Sequence, residues 1–313
     1  MNTTPHIISV SRRTDIPAFY WPWFMSRIRA GFACYMNPFG GQVHSVSLRP
    51  ADVIAFVFWS RDYRPALEDL VALDRDYRFY LHLTITGLPR ELEPHVPDTR
   101  TAVAVCRELA ARFGPRRVLW RFDPIIVSNR TGREWQVRTF AALAAALAGA
   151  TERCYFSFVD FYGKTRRNLA RLQAAAGVAC RDPAPHEKQA LARELAGIAA
   201  GHGIQLYACC EDAVVGGAVH KAHCVDGALV AELFPGSPRV TAAAPTRAEC
   251  GCVASRDIGA YDTCRHGCVY CYANGDAELA ARRHARLAAA PDSPALSDDP
   301  RVLEQCARCP RGG

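Results

Sequence analysis

Residues 52–62, DVIAFVFWSRD, run through seven consecutive apolar side chains from Val53 to Trp59 and then close on Ser60, Arg61 and Asp62. A strand with one wet face alternates apolar and polar residues. This one is dry on both faces, as strands are in a parallel sheet covered on each side. The same grammar, an apolar run finishing in polar residues, recurs at IISVSRR (7–13), ACYMNP (33–38), YRFYLHLTITG (77–87), RRVLWRFDPII (116–126), RCYFSFVDFYGK (153–164) and GIQLYACCED (203–212). Helical periodicity fills the intervals at 99–113, 133–149 and 185–200, and an amphipathic turn or two surrounds Phe24, Ile28 and Phe32. Seven such strands before residue 213, alternating with helices, predict an α/β fold. The expected form is a TIM-like parallel barrel, complete or slightly irregular, ahead of a doubly wound open sheet. Residues 1–233 are assigned to the barrel, 234–280 to a cysteine-rich segment closing its mouth, and 281–313 to a flexible C-terminal tail.

A chain of 313 residues, half of them hydrophobic, can bury a large core. No apolar run is long enough to span a bilayer, and MNTTPHIISVSRRTD lacks the pattern of a secretory signal, so a cytoplasmic protein with no membrane partner is expected. The net charge of +7 suits an anionic ligand. Its arginines are spread along the chain rather than gathered in a basic stripe, which leaves nucleic acid compatible but disfavoured. Neither GHGIQL nor GGAVH makes a dinucleotide fingerprint, no glycine-rich phosphate loop follows a strand, and no nucleophile elbow is present.

In a parallel barrel every strand's C-terminal end opens onto one mouth. The polar residues that end these strands therefore converge: Ser11, Arg12, Arg13 and Asp15; Asn37; Trp59, Ser60 and Arg61; Thr84 and Thr86; Arg121 and Asp123; Ser157, Asp160, Tyr162 and Lys164; Glu211 and Asp212. Trp59 with Arg61, Arg121 with Asp123, and Asp160 with Tyr162 share parity and face one space. Arg12, Arg13, Arg61 and Arg121, with Asp15 and Lys164, are candidates to bind an anionic substrate, the arginine fork suiting carboxylate or phosphate; internal ion pairs are the alternative. Asp123, Asp160 and Tyr162 are candidate acid–base or orienting groups. His82, inside FYLHLTI, reads as a core residue.

Fourteen cysteines are many for such a chain, and ten of them follow residue 208. Cys34, Cys106, Cys154 and Cys180 stand singly in apolar or helical contexts and read as inert. Without a secretion signal, metal or redox chemistry explains the rest better than disulfides. Cys264, Cys268 and Cys271 have the spacing C-x3-C-x2-C, which can wrap three thiolates around one [4Fe-4S] cubane and leave the fourth iron open to S-adenosylmethionine. Cys210, Cys224, Cys250 and Cys252 can hold a second [4Fe-4S] cluster or a zinc ion. Cys209 is set aside, because a continuing strand would point it away from Cys210. Cys306 and Cys309 make a terminal C-x2-C pair, a weak metal or redox signal. His220, His223 and His266 read as bystanders or substitute ligands, and a Cys/His zinc clasp around Cys264–Cys271 is the structural alternative.

CRHGCVYC resembles the signature of the radical S-adenosylmethionine enzymes. That resemblance implies a [4Fe-4S] cluster held by Cys264, Cys268 and Cys271, with Tyr270 near the adenine and a 5′-deoxyadenosyl radical for hydrogen abstraction. Over a longer span, SRRTDIPAFY, NPFGGQVHSVSL, FVFWSRD, RFDPI, YFSFVDFYGK and CGCVASRDIGAYDTCRHGCVYCYAN are similar to the bacterial family numbered 1848 among the domains of unknown function. Membership implies a radical-enzyme-like cysteine group at the C-terminal end and supplies no substrate.

The expectation drawn from all this is an iron–sulfur enzyme of the radical type. It would take an electron from a flavodoxin- or ferredoxin-like donor and act on an anionic small molecule at the barrel mouth. An iron–sulfur protein without adenosylmethionine, acting as a Lewis acid or electron carrier, is one alternative. A noncatalytic binding protein stabilised by zinc or a cluster is the other.

Overall fold

Val53–Ser60 is the longest strand of the protein, and its side chains explain why. After a β-bulge that shifts the register between His6 and Ile7 of the neighbouring strand, Phe56 and Phe58 join one apolar cluster while Ala55 and Val57 join another. Both faces are buried, so the residue types that fit a pleated surface occur without alternation. The computed structural model describes residues 4–38 and 40–308.

Eight strands make one parallel sheet: β1 (His6–Val10), β2 (Val53–Ser60), β3 (Phe79–Thr84), β4 (Val118–Arg121), β5 (Arg153–Phe156), β6 (Gln205–Ala208), β7 (Val219–Lys221) and β8 (Arg256–Asp257). Their order is β7-β6-β5-β4-β3-β2-β1-β8, with every pairing parallel. Sequential neighbours that wrap back to β1 are the arrangement of a TIM-like barrel. Among the described residues no strand pairing joins β7 to β8, so the ring has one seam.

The helices are α1 (Ile16–Phe19), α2 (Trp21–Ala30), α3 (Leu67–Leu73), α4 (Thr99–Phe113), α5 (Arg133–Leu147), α6 (Gly163–Ala176), α7 (Pro185–Gly201), α8 (Gly227–Leu233), α9 (Ala277–Ala288) and α10 (Pro300–Arg308). Most bury residues in the outer core, but α8 sets Leu229 and Val230 in the inner cluster, α6 sets Leu169 in a small cluster of its own, and α10 packs Val302 and Cys306 on Cys34. Asp98 starts α4 by accepting a 2.9 Å bond from Thr101 N, and Gly114, at φ 85°, ends it. The outer core takes one parity of each strand, including Phe79, Leu81, Trp120 and Phe156, against Trp23, Phe24, Phe140 and Leu195. Each such side chain contributes roughly 2 kcal/mol. The other parity, with Ile7, Tyr80, Leu119 and Tyr155, fills the barrel interior. His82 is there too, fully buried, stacked on Trp59 at 4.2 Å and bonded to the carbonyl of Cys224. Burial, then the charge of Arg121, pushes its pKa well below the ordinary histidine value. Among the described residues no helix is long and apolar enough to cross a membrane.

Three expectations are corrected. ACYMNP is not a barrel strand: Phe32–Met36 pairs antiparallel with Val43–Ser47 in a ribbon of its own, linked by a short loop containing Gly41 at φ 67°. The sheet instead takes β7 and β8, three and two residues long, too short to leave a periodic signal. Finally, the segment after residue 233 is not an iron–sulfur domain. Among the described residues no group of three or more His, Cys, Asp or Glu side chains is arranged to hold a metal ion. The segment instead supplies β8, a loop over the mouth, and α9 and α10. Leu287, Leu296, Val302 and Cys306 in that last stretch are buried, and the Cys306 thiol shares a hydrogen bond with Cys34. Cys309 lies outside the described residues.

Candidate functional site

At the C-terminal ends of the strands lies a cavity of about 740 Å³. It collects Arg12, Arg13 and Asp15 from beyond β1, Arg61 from just past β2, Arg121 from the end of β4 and Asp123 from just past it, and Asp160, Tyr162 and Lys164 from beyond β5. Tyr270 and the thiols of Cys210, Cys224, Cys250, Cys252, Cys264, Cys268 and Cys271 line the same space. The convergence read from strand ends is thus found for these residues and for Ser11, Trp59, Ser60, Thr84 and Ser157, whereas Asn37, Thr86, Glu211 and Asp212 do not line the cavity; what these residues do is a separate matter.

The cationic groups differ in how far they are engaged. Arg121 bonds Asp123 Oδ2 through Nε at 3.2 Å and donates to Cys224 Sγ at 3.2 Å. Burial opposes its charge, but Asp123 and the neighbouring thiols raise its pKa well above the usual guanidinium range. Asp123 also accepts a bond from Ser157 Oγ. Arg61 is held by Glu93 at 2.8 Å and donates to Tyr270 Oη at 2.5 Å, while Tyr270 donates to Glu93. That triad closes one wall. Arg12 and Arg13 share a single carboxylate, Asp257, at 3.7 and 3.9 Å. Lys164 forms no ion pair among the described residues, and its Nζ donates at 3.4 Å to Tyr272 O.

Asp15 is a scaffold group. It caps α1 by accepting from Ala18 N at 3.0 Å and takes further bonds from Ser60 Oγ, Arg61 N and His266 Nε2. With four partners, its oxygens are largely used. Asp160 accepts from Tyr162 Oη at 3.1 Å and pairs with Arg247. The peptide bonds Val10–Ser11 and Asp123–Pro124 at the mouth are cis.

Residues the sequence reading passed over are central here. Asp257 anchors two arginines, and Arg247 covers Asp160; nothing in their local sequence marks either. A continuing strand would point Cys209 away from Cys210, yet β6 ends at Ala208. The chain then turns, with Cys210 at φ 55°, and Cys209 Sγ comes within 3.3 Å of Cys224 Sγ and 3.9 Å of Cys210 Sγ. Thr165, whose Oγ1 is buried without a partner, also lines the cavity.

A family model described as "Domain of unknown function (DUF1848)" matches residues 7–273. The chain belongs to that family. Comparison with curated proteins and with solved structures returned no match.

Within this DUF1848 chain the metal assignments are corrected. Metal ligands must converge on one point, with sulfurs about 2.3 Å from the ion. No described group of three does so, whether among Cys264, Cys268 and Cys271 or among Cys210, Cys224, Cys250 and Cys252. The first and second [4Fe-4S] clusters, the zinc alternatives and the cluster-bound adenosylmethionine fall with that finding, as does the radical-type enzyme built on them. The C-x3-C-x2-C spacing serves a docked turn instead. Cys271 N bonds Cys268 O, Val269 N bonds Leu92 O, His95 N bonds His266 O, and Asn274 Nδ2 bonds Cys264 O. Burial raises all three of these thiols, Cys268 to about 12. In the second group, bonds from Cys210 and Cys252 hold Cys250 far below the usual thiol value. Cys224, lowered by Cys209 but raised by Cys252 and burial, stands at about 11.

Proposed function

We propose that the barrel mouth binds a small anionic organic molecule. The observation that carries this reading is a pair of cations with donors to spare. Arg12 meets its carboxylate only at 3.7 Å through Nε, and Lys164 has no carboxylate partner among the described residues. Six cationic side chains line the cavity (Arg12, Arg13, Arg61, Arg121, Lys164 and Arg247) against the carboxylates of Asp15, Asp123, Asp160 and Asp257. Glu93, behind Arg61, offsets one more positive charge. With the lowered Cys250 thiol also in the lining, no large positive excess remains, which suits a ligand of low charge rather than a polyanion such as nucleic acid. A volume of about 740 Å³ lies in the range of small-molecule sites, and Trp59, Pro124, Phe158 and Tyr261 provide apolar walls for an organic body.

Titration calorimetry of the full chain with malonate and with inorganic phosphate tests the proposal. Saturable binding of an anion is expected, weakened about tenfold by Arg12→Gln, the loss of one charge-assisted contact. Binding that is absent, or unchanged in Arg12→Gln, overturns it.

A further inference from the structure

The N-terminus of α6 opens on the same cavity, through Tyr162, Lys164 and Thr165. The helix is 14 residues long, its N-cap residue Tyr162 makes no side-chain capping bond, and its first turn carries no acidic residue. Among the described residues nothing accepts from the backbone N–H groups of Gly163, Lys164 or Thr165, the orphan donors of a helix start. Helix starts of this kind attract anions. A bare helix end is common, and it is Thr165 that marks this one. Its side chain is 1% exposed, it lines the cavity, and its Oγ1 has no hydrogen-bond partner. A helical threonine ordinarily turns its hydroxyl to the carbonyl four residues back. Here that carbonyl, Phe161 O, already accepts from Arg166 Nε at 2.6 Å. A buried hydroxyl left without a partner keeps its full desolvation cost, which a bound acceptor would recover.

We infer that the start of α6 is a phosphoryl subsite, and that the anionic ligand of the mouth is a phosphate monoester or a similar tetrahedral oxyanion. This rests on the proposed binding of an anion in the mouth and names its chemical class. Three backbone N–H groups, the Thr165 hydroxyl and the Lys164 ammonium make five donor groups. A carboxylate offers about four lone-pair sites in one plane, whereas the three terminal oxygens of a phosphoryl group spread their acceptors over a tetrahedral face. Two carboxylates lie near and both are engaged elsewhere. Asp160 is paired with Arg247 and bonded by Tyr162, and Asp262 accepts from Gly275 N and faces Arg283.

The test is calorimetry with inorganic phosphate and with malonate on the full chain and on Thr165→Val, Lys164→Gln and Arg12→Gln, with phosphorus-31 line broadening as a second readout. Thr165→Val keeps shape and removes only the hydroxyl; Lys164→Gln changes a half-exposed residue and guards against misfolding of the first. Phosphate binding is expected to weaken about tenfold in each, with malonate binding unchanged in Thr165→Val. If Arg12→Gln weakens both anions while Thr165→Val and Lys164→Gln leave phosphate untouched, the mouth binds anions and the α6 subsite is wrong. If neither anion binds the unaltered protein, both proposals fall together.

Discussion

Asp257 holds two arginines at once, and its surroundings show how. Ser9 and Ser11 donate to its oxygens at 2.8 and 2.6 Å, and Arg12 N and Gly259 N at 2.9 and 3.1 Å. Burial alone would push its carboxyl up, but Arg12, Arg13 and these donors outweigh it and hold the pKa below the usual carboxylate value. A depressed carboxyl contributes stability above its unfolded pKa, about 3.9, and loses it as pH falls through the folded value. Asp257→Asn should therefore cost about 3 kcal/mol in urea unfolding at pH 7, and the gap from the unaltered protein should narrow below about pH 4. A gap independent of pH would show that charge is not the cause. Thiol geometry makes a second prediction: Cys209 and Cys224, 3.3 Å apart, need only ~1 Å of approach to bond. Diamide, which takes up the two hydrogens lost when two thiols join, should crosslink this pair first, as read by peptide mapping. First appearance of another crosslink counts against it. The arginines and aspartates of the mouth read from the sequence were legible because they end or follow apolar runs whose C-terminal ends open on one face. Asp257 and Cys209 were not, because one lies in a strand of only two residues and the other follows a strand that stops one residue early.

Gly259, just past β8, shows what ties that short strand to the barrel. A Cβ there would lie 2.0 Å from Ser11 Oγ and 2.5 Å from Ser11 Cβ, and β1 is the sheet partner of β8. Gly259→Ala should destabilise by about 2 kcal/mol through overpacking, measured by the midpoint of urea unfolding; a neutral result would mean the junction yields. Among the elements, α4, α5 and α7 could be read from the sequence almost to the residue, since each shows an apolar stripe over several turns between clear end signals. β2 and β3 were legible from their unbroken apolar runs. The antiparallel ribbon mimicked a barrel strand because Ala33 and Cys34 are buried, Ala33 in the outer core and Cys34 against the C-terminal stretch, where Cys34 N bonds Pro294 O at 2.8 Å. Local pattern reports burial and not the identity of the covering partner.

At the scale of the molecule, the chain's last stretch is part of the wall. Trp23 Nε1 donates to Ser293 O at 2.8 Å, and Arg27 donates to Asp292 O at 2.9 Å. Ending the chain at Asp276 should therefore red-shift tryptophan emission as Trp23 meets water and lower the Tm by about 5 °C; an unchanged melt would make the stretch dispensable. The seam between β7 and β8 bears on exchange behaviour. Amides of β7 and β8 should exchange faster than those of β3 and β4, which are paired on both sides, and uniform protection around the ring would argue against a seam. In its place stand side chains and loops: Cys252 Sγ accepts from Val225 N at 3.4 Å, and Val253 N bonds Val225 O at 3.0 Å. A hoop welded all round can change its girth only by straining every stave. This one is split, and its clasp is the thiol-bearing loop, so a change in girth can fall at that one joint and leave the paired staves unstrained.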